Sequence, residues 1–234
     1  MAGNAETTDS KDARTSRVTM LLVGLVLIGA SIALGVWIYL HGDPPFALDV
    51  WWNALIVQSS SDFLLGLSYV MNWLGAGWFG VLVVPIVTGG ILVAVGRPWS
   101  ALYFVTASAA STGAVQIMKH TFGRARPEEI IVMTDVGSYP SGHVSNAATV
   151  AVALAVIFPR LWVALVAVAW VALMAFSRTY LHAHWLSDTV GGAALGAGVS
   201  LVLAAAFAAF MEREPLPQRG WIGAARRVPD RSLE

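Results

Sequence analysis

The stretch SRTYLHAHWLSDTVGGAALGAGVSLVLAAAFAAFM, residues 177–211, joins two chemistries that belong to different solvents. Its first twelve residues hold Arg178, His182, His184, Ser187 and Asp188. After Thr189 every residue except Ser200 is apolar or glycine. A hydrocarbon core of about 30 Å is crossed by a helix of about 20 apolar residues. The run 186–211 has 26 residues, of which all but Ser187, Asp188, Thr189 and Ser200 are apolar or glycine. A helix that starts on a polar cluster and then runs through lipid sets the reading of the whole chain. It is an all-α, polytopic membrane protein with its polar chemistry at the helix ends.

Composition agrees. Of 234 residues, 57% are hydrophobic and 12% are charged, and the mean hydropathy is +0.68. A soluble domain carries about 25% charged residues. The formal net charge is zero, so nothing in the bulk field attracts nucleic acid and no such partner is expected. There is no cysteine, which excludes disulfides, thiolate metal sites and a cysteine nucleophile.

Working outward from 186–211, five further apolar runs are expected to span, over 17–40, 77–95, 99–118, 144–158 and 161–176. The first, apolar from Val18, is longer than the roughly 7–15-residue core of a cleavable signal peptide and reads as a retained helix. Residues 49–73 contain Trp51, Trp52, Phe63, Tyr69 and Trp73 but are broken at Ser59–Asp62. They read as an interfacial helix between the first two spans, with tryptophan at headgroup depth. The alternative puts the second span at 63–90, with 49–58 as a loop; six spans result either way. Residues 1–16 are expected to form a disordered tail and 212–234 a flexible one, around a membrane domain at 17–211.

With both termini in the cytoplasm, Lys11, Arg14, Arg17, Arg97, Arg160, Arg213, Arg219, Arg226, Arg227 and Arg231 all lie inside. Only Lys119, Arg124, Arg126 and Arg178 fall outside, which satisfies the positive-inside rule for a multi-pass plasma-membrane protein. The Gly192/Gly196 pair is expected to serve close packing within the bundle rather than dimerisation.

The polar residues near membrane depth fall into three clusters, all on the outer face, and such residues default to function. The first is Lys119, Arg124 and Arg126, which offer a point charge and planar forks to an oxyanion. The second is Ser138–His143, where Ser141 is placed to cap a helix and the Gly142 and His143 amides would face an anion. The third is Arg178, His184 and Asp188. His184 and Asp188 are four apart, so on a helix they share a face, and a carboxylate bonded to one ring nitrogen leaves the other free. His182 reads as structural. A metal set of His182, His184 and Asp188 is too sparse and too closely flanked by cations. The combined inventory suits phosphoryl transfer through a phosphohistidine, with no metal or other cofactor.

The spacing Lys119-(six residues)-Arg126-Pro127, Pro140-Ser141-Gly142-His143 and Ser177-Arg178-(five residues)-His184-(three residues)-Asp188 resembles the three-part signature of the type-2 phosphatidic acid phosphatase superfamily. The resemblance covers roughly residues 62–201. It implies six transmembrane helices and a metal-independent hydrolase. His184 would be the nucleophile, Asp188 its orienting partner and His143 the general acid. Lys119, Arg126, Ser141, Gly142 and Arg178 would bind the phosphate. The expected substrate is a lipid phosphate or diphosphate at the extracytoplasmic face. Undecaprenyl diphosphate stands first, and phosphatidylglycerophosphate or phosphatidic acid second. A non-catalytic lipid-phosphate binder or transporter is the other class. The sequence departs from the pattern at Tyr139, where phenylalanine is common, at His182, where glycine is common, and at Leu186, where proline is frequent. Glu128 and Glu129 follow the Arg-Pro pair directly.

Overall fold

Proline and glycine set most of the helix boundaries. The computed structural model describes residues 2–59, 61–75 and 77–214. Among them are α1 (Ala2–Leu40), α2 (Ala47–Gln58), α3 (Asp62–Gly75), α4 (Val84–Ala94), α5 (Pro98–Phe122), α6 (Gly142–Ile157), α7 (Leu161–Tyr180) and α8 (Leu186–Met211). A π-helical turn, Phe79–Val83, leads into α4. Pro98 opens α5, where its missing N–H is no loss. Gly123, at φ 62°, closes it in the left-handed conformation, its N–H bonded to the Lys119 carbonyl. No strand occurs among the described residues.

Among the described residues, four helices are long and apolar enough to cross a bilayer: residues 14–40 of α1, and α5, α7 and α8. The pair Asp62–Gly75 and Phe79–Ala94 passes that test together, with a 47° bend between its halves. The 16-residue α6 is apolar but shorter. The protein is therefore an all-helical, multi-pass membrane protein. The boundaries differ from the sequence reading in four places. The expected span over 77–95 is the second half of a bent pair that starts at Asp62. The expected interfacial helix over 49–73 is two helices, because the polar serines after Gln58 interrupt it. α5 runs on to Phe122 and α7 to Tyr180, so Lys119 and Arg178 sit inside last helical turns rather than in loops. Finally, α1 begins at Ala2, within the segment expected to be disordered; alanine, glutamate, lysine and arginine there are adequate helix formers, and a long helix propagates at little cost per residue.

α8 lies at the centre, against α1, α5 and α6. Its glycines make this arrangement possible. A Cβ at Gly196 would lie 2.1 Å from the Ser145 carbonyl oxygen, and one at Gly192 would lie 2.5 Å from that of Ser141. The glycine pair thus serves close packing of α8 on α6, as expected. Hydroxyls reinforce the contact: Thr149 donates to Ser111 Oγ (2.8 Å) and approaches the Gly196 carbonyl (3.2 Å). The outward surface is apolar, with Val26, Ile86, Trp162 and Val168 all exposed, as lipid contact requires.

The site residues gather at one end of the bundle, and a second set of charges ties the other. Arg17 pairs with Glu212. Glu214 accepts from the Trp99 and Ser100 backbone N–H groups at the start of α5 and lies 3.4 Å from Arg97. The first residues of the tail expected to be flexible are thus anchored, a carboxylate at a helix N-terminus being favourable. The remainder of that tail, 215–234, including Arg219, Arg226, Arg227 and Arg231, lies outside the described residues.

Candidate active site

Four helix ends meet around one cavity of about 790 Å³. α5 brings Lys119 on its last turn, and the loop after it brings Arg126. α6 begins at Gly142 and His143, and α7 ends with Arg178. The turn between α7 and α8 holds His184. These residues share the lining of the cavity with Trp73, Trp78, Phe79, Val81 and Leu82, from the bent α3–α4 pair. The cavity is amphiphilic by construction, and a π-helical turn forms part of its apolar wall.

His184 is buried, and its Nδ1 lies 2.7 Å from the Ser138 carbonyl oxygen. A carbonyl only accepts, so Nδ1 carries the proton and Nε2 keeps its lone pair. Arg126 Nη1 lies 3.3 Å from Nε2 and also donates to the Ala183 carbonyl. Burial, then the charges of Arg126, Arg178 and Lys119, hold the His184 imidazole well below its ordinary pKa. It is neutral at pH 7.

This corrects the role expected for Asp188. His184 precedes α8 rather than lying on it, so the four-residue spacing does not place the two side chains on one helix face. The Asp188 carboxylate is 3.7 Å from His184 Nδ1. Its oxygens instead take the Trp185 backbone N–H at the start of α8 (2.8 Å) and Arg124 Nη1 (2.6 Å). Asp188 positions the turn that carries His184, and Ser138 fixes the tautomer.

His143 Nε2 donates to the Asn72 carbonyl (3.0 Å), which leaves Nδ1 as the ring nitrogen outside that bond. Arg178 donates to the Asn72 side-chain oxygen (2.5 Å). Asn72 therefore orients both a histidine and an arginine. Ser141 stands at the N-cap of α6, as expected, but its side chain makes no capping bond. Ser141 Oγ and Arg178 Nε are buried and find no hydrogen-bond partner among the described residues. A buried unpaired polar group costs about 1–3 kcal/mol; Arg178 lines the cavity, where such a group can meet a polar ligand, whereas Ser141 is buried next to the lining residue Gly142. The adjacent α6 N-terminus adds backbone N–H groups of the sort that bind anions. A Cβ at Gly142 would meet only ordinary contacts, so packing alone does not demand glycine there.

The structure thus brings Lys119, Arg126, Ser141, Gly142, His143, Arg178 and His184 together and moves Asp188 behind them. Several residues that position the site escaped the sequence reading. Asp135 contacts Lys119 and Arg126 (2.9 and 3.0 Å). Asp49 holds Arg124 (3.1 Å) and the Ser187 backbone N–H (2.8 Å). Asn72 acts as described above, and so does Ser138, which the sequence placed in the second cluster. Asp49, Asn72 and Asp135 stand outside the three clusters, because each meets its site partners from another part of the chain. His182 stands at φ 50°, which explains why glycine suits this position, and bonds Asn53, which in turn donates to Glu129. Tyr139 uses its hydroxyl, which phenylalanine lacks, to bond the Ser31 carbonyl of α1 (2.6 Å). No cluster of three or more metal-ligating side chains occurs among the described residues.

The depressed His184 pKa has a testable sign. Activity that needs neutral His184 is retained as pH falls through the ordinary histidine value of about 6.5 and is lost only further down. The acid limb of kcat/KM, measured in detergent, is expected below pH ~6.5. A limb at or above that value would show that burial and the three cations do not act on the nucleophile.

Residues 100–212 match the family model of the PAP2 superfamily. The chain is similar to a "Lipid A 1-phosphatase" of Rhizobium etli, 31% identical over 147 residues, which cover 56% of this chain and 61% of the relative. A "Lipid A 1-phosphatase" of Rhizobium johnstonii is 33% identical over 120 residues, 45% of this chain and 47% of that one. An "Undecaprenyl-diphosphatase" of Sulfolobus acidocaldarius is 35% identical over 65 residues, 28% of this chain and 31% of that one. The matches thus span between about a third and three fifths of these curated relatives. Among solved structures, a transmembrane PAP2-type phosphatidylglycerolphosphate phosphatase from Bacillus subtilis shares the fold. The TM-score is 0.65 at 24% identity, over 85% of this chain and 98% of that one.

Proposed function

We propose that this chain, whose residues 100–212 match the family model of the PAP2 superfamily, hydrolyses a lipid phosphate or diphosphate through a phosphohistidine at His184, without a metal. One observation carries the reading. A neutral imidazole with an unprotonated Nε2, met by Arg126 at 3.3 Å, shares with Lys119, Arg126 and Arg178 a cavity that is also lined by apolar side chains.

The steps follow from the geometry. Lys119, Arg126 and Arg178, with Ser141 Oγ and the α6 N-terminus, hold the phosphoryl oxygens and offset the charge that builds on them. His184 Nε2 attacks phosphorus and forms a P–N bond as the P–O bond to the leaving group breaks. His143, which keeps its Nε2 proton on Asn72 and carries a second proton at Nδ1 once the anionic substrate is bound, gives that Nδ1 proton to the departing oxygen. It then takes a proton from water, whose oxygen attacks the phosphohistidine. The P–N bond breaks, orthophosphate leaves, and both histidines return to their starting states.

The apolar wall suits the first part of a lipid tail, with the remainder left in the bilayer. Six spans, with the bent α3–α4 pair counted once and α6 counted as a short span, bring the site to one face. The positive-inside rule makes that face extracytoplasmic and puts both termini in the cytoplasm. Undecaprenyl diphosphate is the first substrate, with phosphatidylglycerophosphate and phosphatidic acid behind it. A lipid A 1-phosphate is a second reading, favoured by the 147-residue match to the curated relative of Rhizobium etli.

The test is phosphate release by purified protein in detergent, across prenyl diphosphates, phospholipid monophosphates and a lipid A phosphate, with and without excess chelator. Release from at least one class, unchanged by chelator, is expected. No release from any would leave the non-catalytic reading, and loss on chelation would remove the metal-free mechanism.

A further inference from the structure

The mechanism above does not use Asp135, yet this residue occupies the hands of two phosphate-binding cations. It lies in the irregular segment between α5 and α6, with its side chain about half exposed (53%). Its Oδ1 accepts from Lys119 Nζ at 2.9 Å and from Arg126 Nη2 at 3.0 Å. The Gly137 carbonyl, two residues on, accepts from the same two nitrogens at 2.9 and 2.6 Å. An ammonium has three N–H donors and each guanidinium Nη has two. Asp135 and Gly137 therefore engage two of the three on Lys119 and both of those on Arg126 Nη2. A carboxylate bridging two cations is the arrangement that two oxygens of a phosphate would take. The segment is also lightly held: Met133 is fully exposed and Val136 largely so, whereas Ser138 onward is buried.

Resting on the reading of this cavity as a phosphate site, we infer that Asp135 is an internal competitor for the phosphate subsite. It closes the cation pair in the free protein, is displaced by the substrate's phosphate, and returns to the cations as orthophosphate leaves. A phosphate monoester or diphosphate brings more than one negative charge, and so replaces the single carboxylate charge with net gain. A singly charged phosphodiester headgroup, of the kind that fills a bilayer, makes no such gain. Asp135 thereby sets the threshold that a headgroup must exceed to occupy the site, and it limits product inhibition. It is a specificity-determining residue and takes no part in bond making. The carboxylate is ionised at neutral pH: burial raises its pKa, but the bonds and charges of Lys119 and Arg126 outweigh this and hold it below the ordinary value.

The experiment uses the full chain in detergent with orthophosphate as the probe, followed by calorimetric titration and as a competitive inhibitor. Asp135→Asn keeps the shape and removes the charge, and Asp135→Glu keeps the charge. Asp135→Asn is expected to bind orthophosphate about tenfold more tightly and to lower KM in parallel, the figure for a charge-assisted contact discounted for exposure. Asp135→Glu should stay near wild type. Unchanged or weaker orthophosphate binding in Asp135→Asn, with thermal melting unaltered, would show a strut that holds the cations in place and would overturn the inference alone. Failure of orthophosphate to bind either wild type or Asp135→Asn would remove the phosphate reading of the cavity, and the inference with it.

Discussion

His184→Ala is expected to reduce phosphate release by about four orders of magnitude, the scale seen when a nucleophile is removed from a catalytic set. The argument rests on what remains after truncation. Lys119, Arg126, Arg178 and the α6 N-terminus still bind a phosphate, but the imidazole that remains in the cavity, His143, is tied to Asn72 through Nε2 and serves as the proton donor rather than the nucleophile. The variant leaves the Ser138 carbonyl without its 2.7 Å partner, at about 1–3 kcal/mol, which the fold is expected to survive. His184→Gln is the companion, since its amide N–H can replace that bond without supplying a nucleophile. The covalent step gives a second readout. His143→Asn, supplied with a substrate whose leaving group needs no proton, is expected to accumulate an acid-labile phosphoprotein, because nothing then activates water. The double variant His143→Asn, His184→Ala should show none. Release above about a tenth of wild type by His184→Ala would sink the nucleophile assignment.

The residues that gather around the cavity were legible in the sequence because the membrane makes them conspicuous. A lysine, three arginines and two histidines at the ends of apolar runs have few structural reasons to be there, and their spacing carried the roles. The order and approximate place of the apolar runs were legible for the same reason. What failed was local geometry and long-range pairing. The spacing of His184 and Asp188 suggests one helix, but α8 starts after His184, where Asp188 turns back onto the Trp185 backbone N–H. That choice depends on Arg124 taking the other carboxylate oxygen, which the sequence does not show. The serines after Gln58 were visible as a break, but the bend that makes α3 and α4 one unit was not, because it arises from packing around the cavity. Asp49, Asn72 and Asp135 look like ordinary loop or helix-end polar residues until the fold brings them to cations and histidines from elsewhere in the chain.

Arg124 is where that hidden pairing has its largest consequence, and Arg124→Ala is expected to destabilise the protein by about 3–5 kcal/mol, the range for breaking one side of a buried ion pair. Its side chain is fully buried. One nitrogen reaches Asp188 (2.6 Å) and Ser187 Oγ (2.8 Å), and the other reaches Asp49 (3.1 Å) and the Pro44 carbonyl (3.0 Å). The Phe46 and Trp185 rings lie on either side, each about 5.9 Å from the guanidinium carbon. One cation thus joins the start of α2 to the start of α8. Truncation leaves two buried carboxylates without their cation, although each keeps a backbone N–H. At about 2–4 °C per kcal/mol for a chain of this size, the melting point in detergent should fall by roughly 10 °C. Lysine should not rescue it, because a single ammonium cannot reproduce a fork that addresses two carboxylates in one plane. The loss should also differ in kind from that of His184→Ala. Asp188 sets where α8 begins and so where His184 stands. The folded fraction of Arg124→Ala should therefore show a lower kcat, while His184→Ala loses kcat without melting early. Pairing Arg124→Met with Asp49→Asn tests the network directly. Removing a charge and one of its partners together should cost less than the sum of the two single losses. Melting of Arg124→Ala within about 2 °C of wild type would show that the buried network carries little of the stability argued for it.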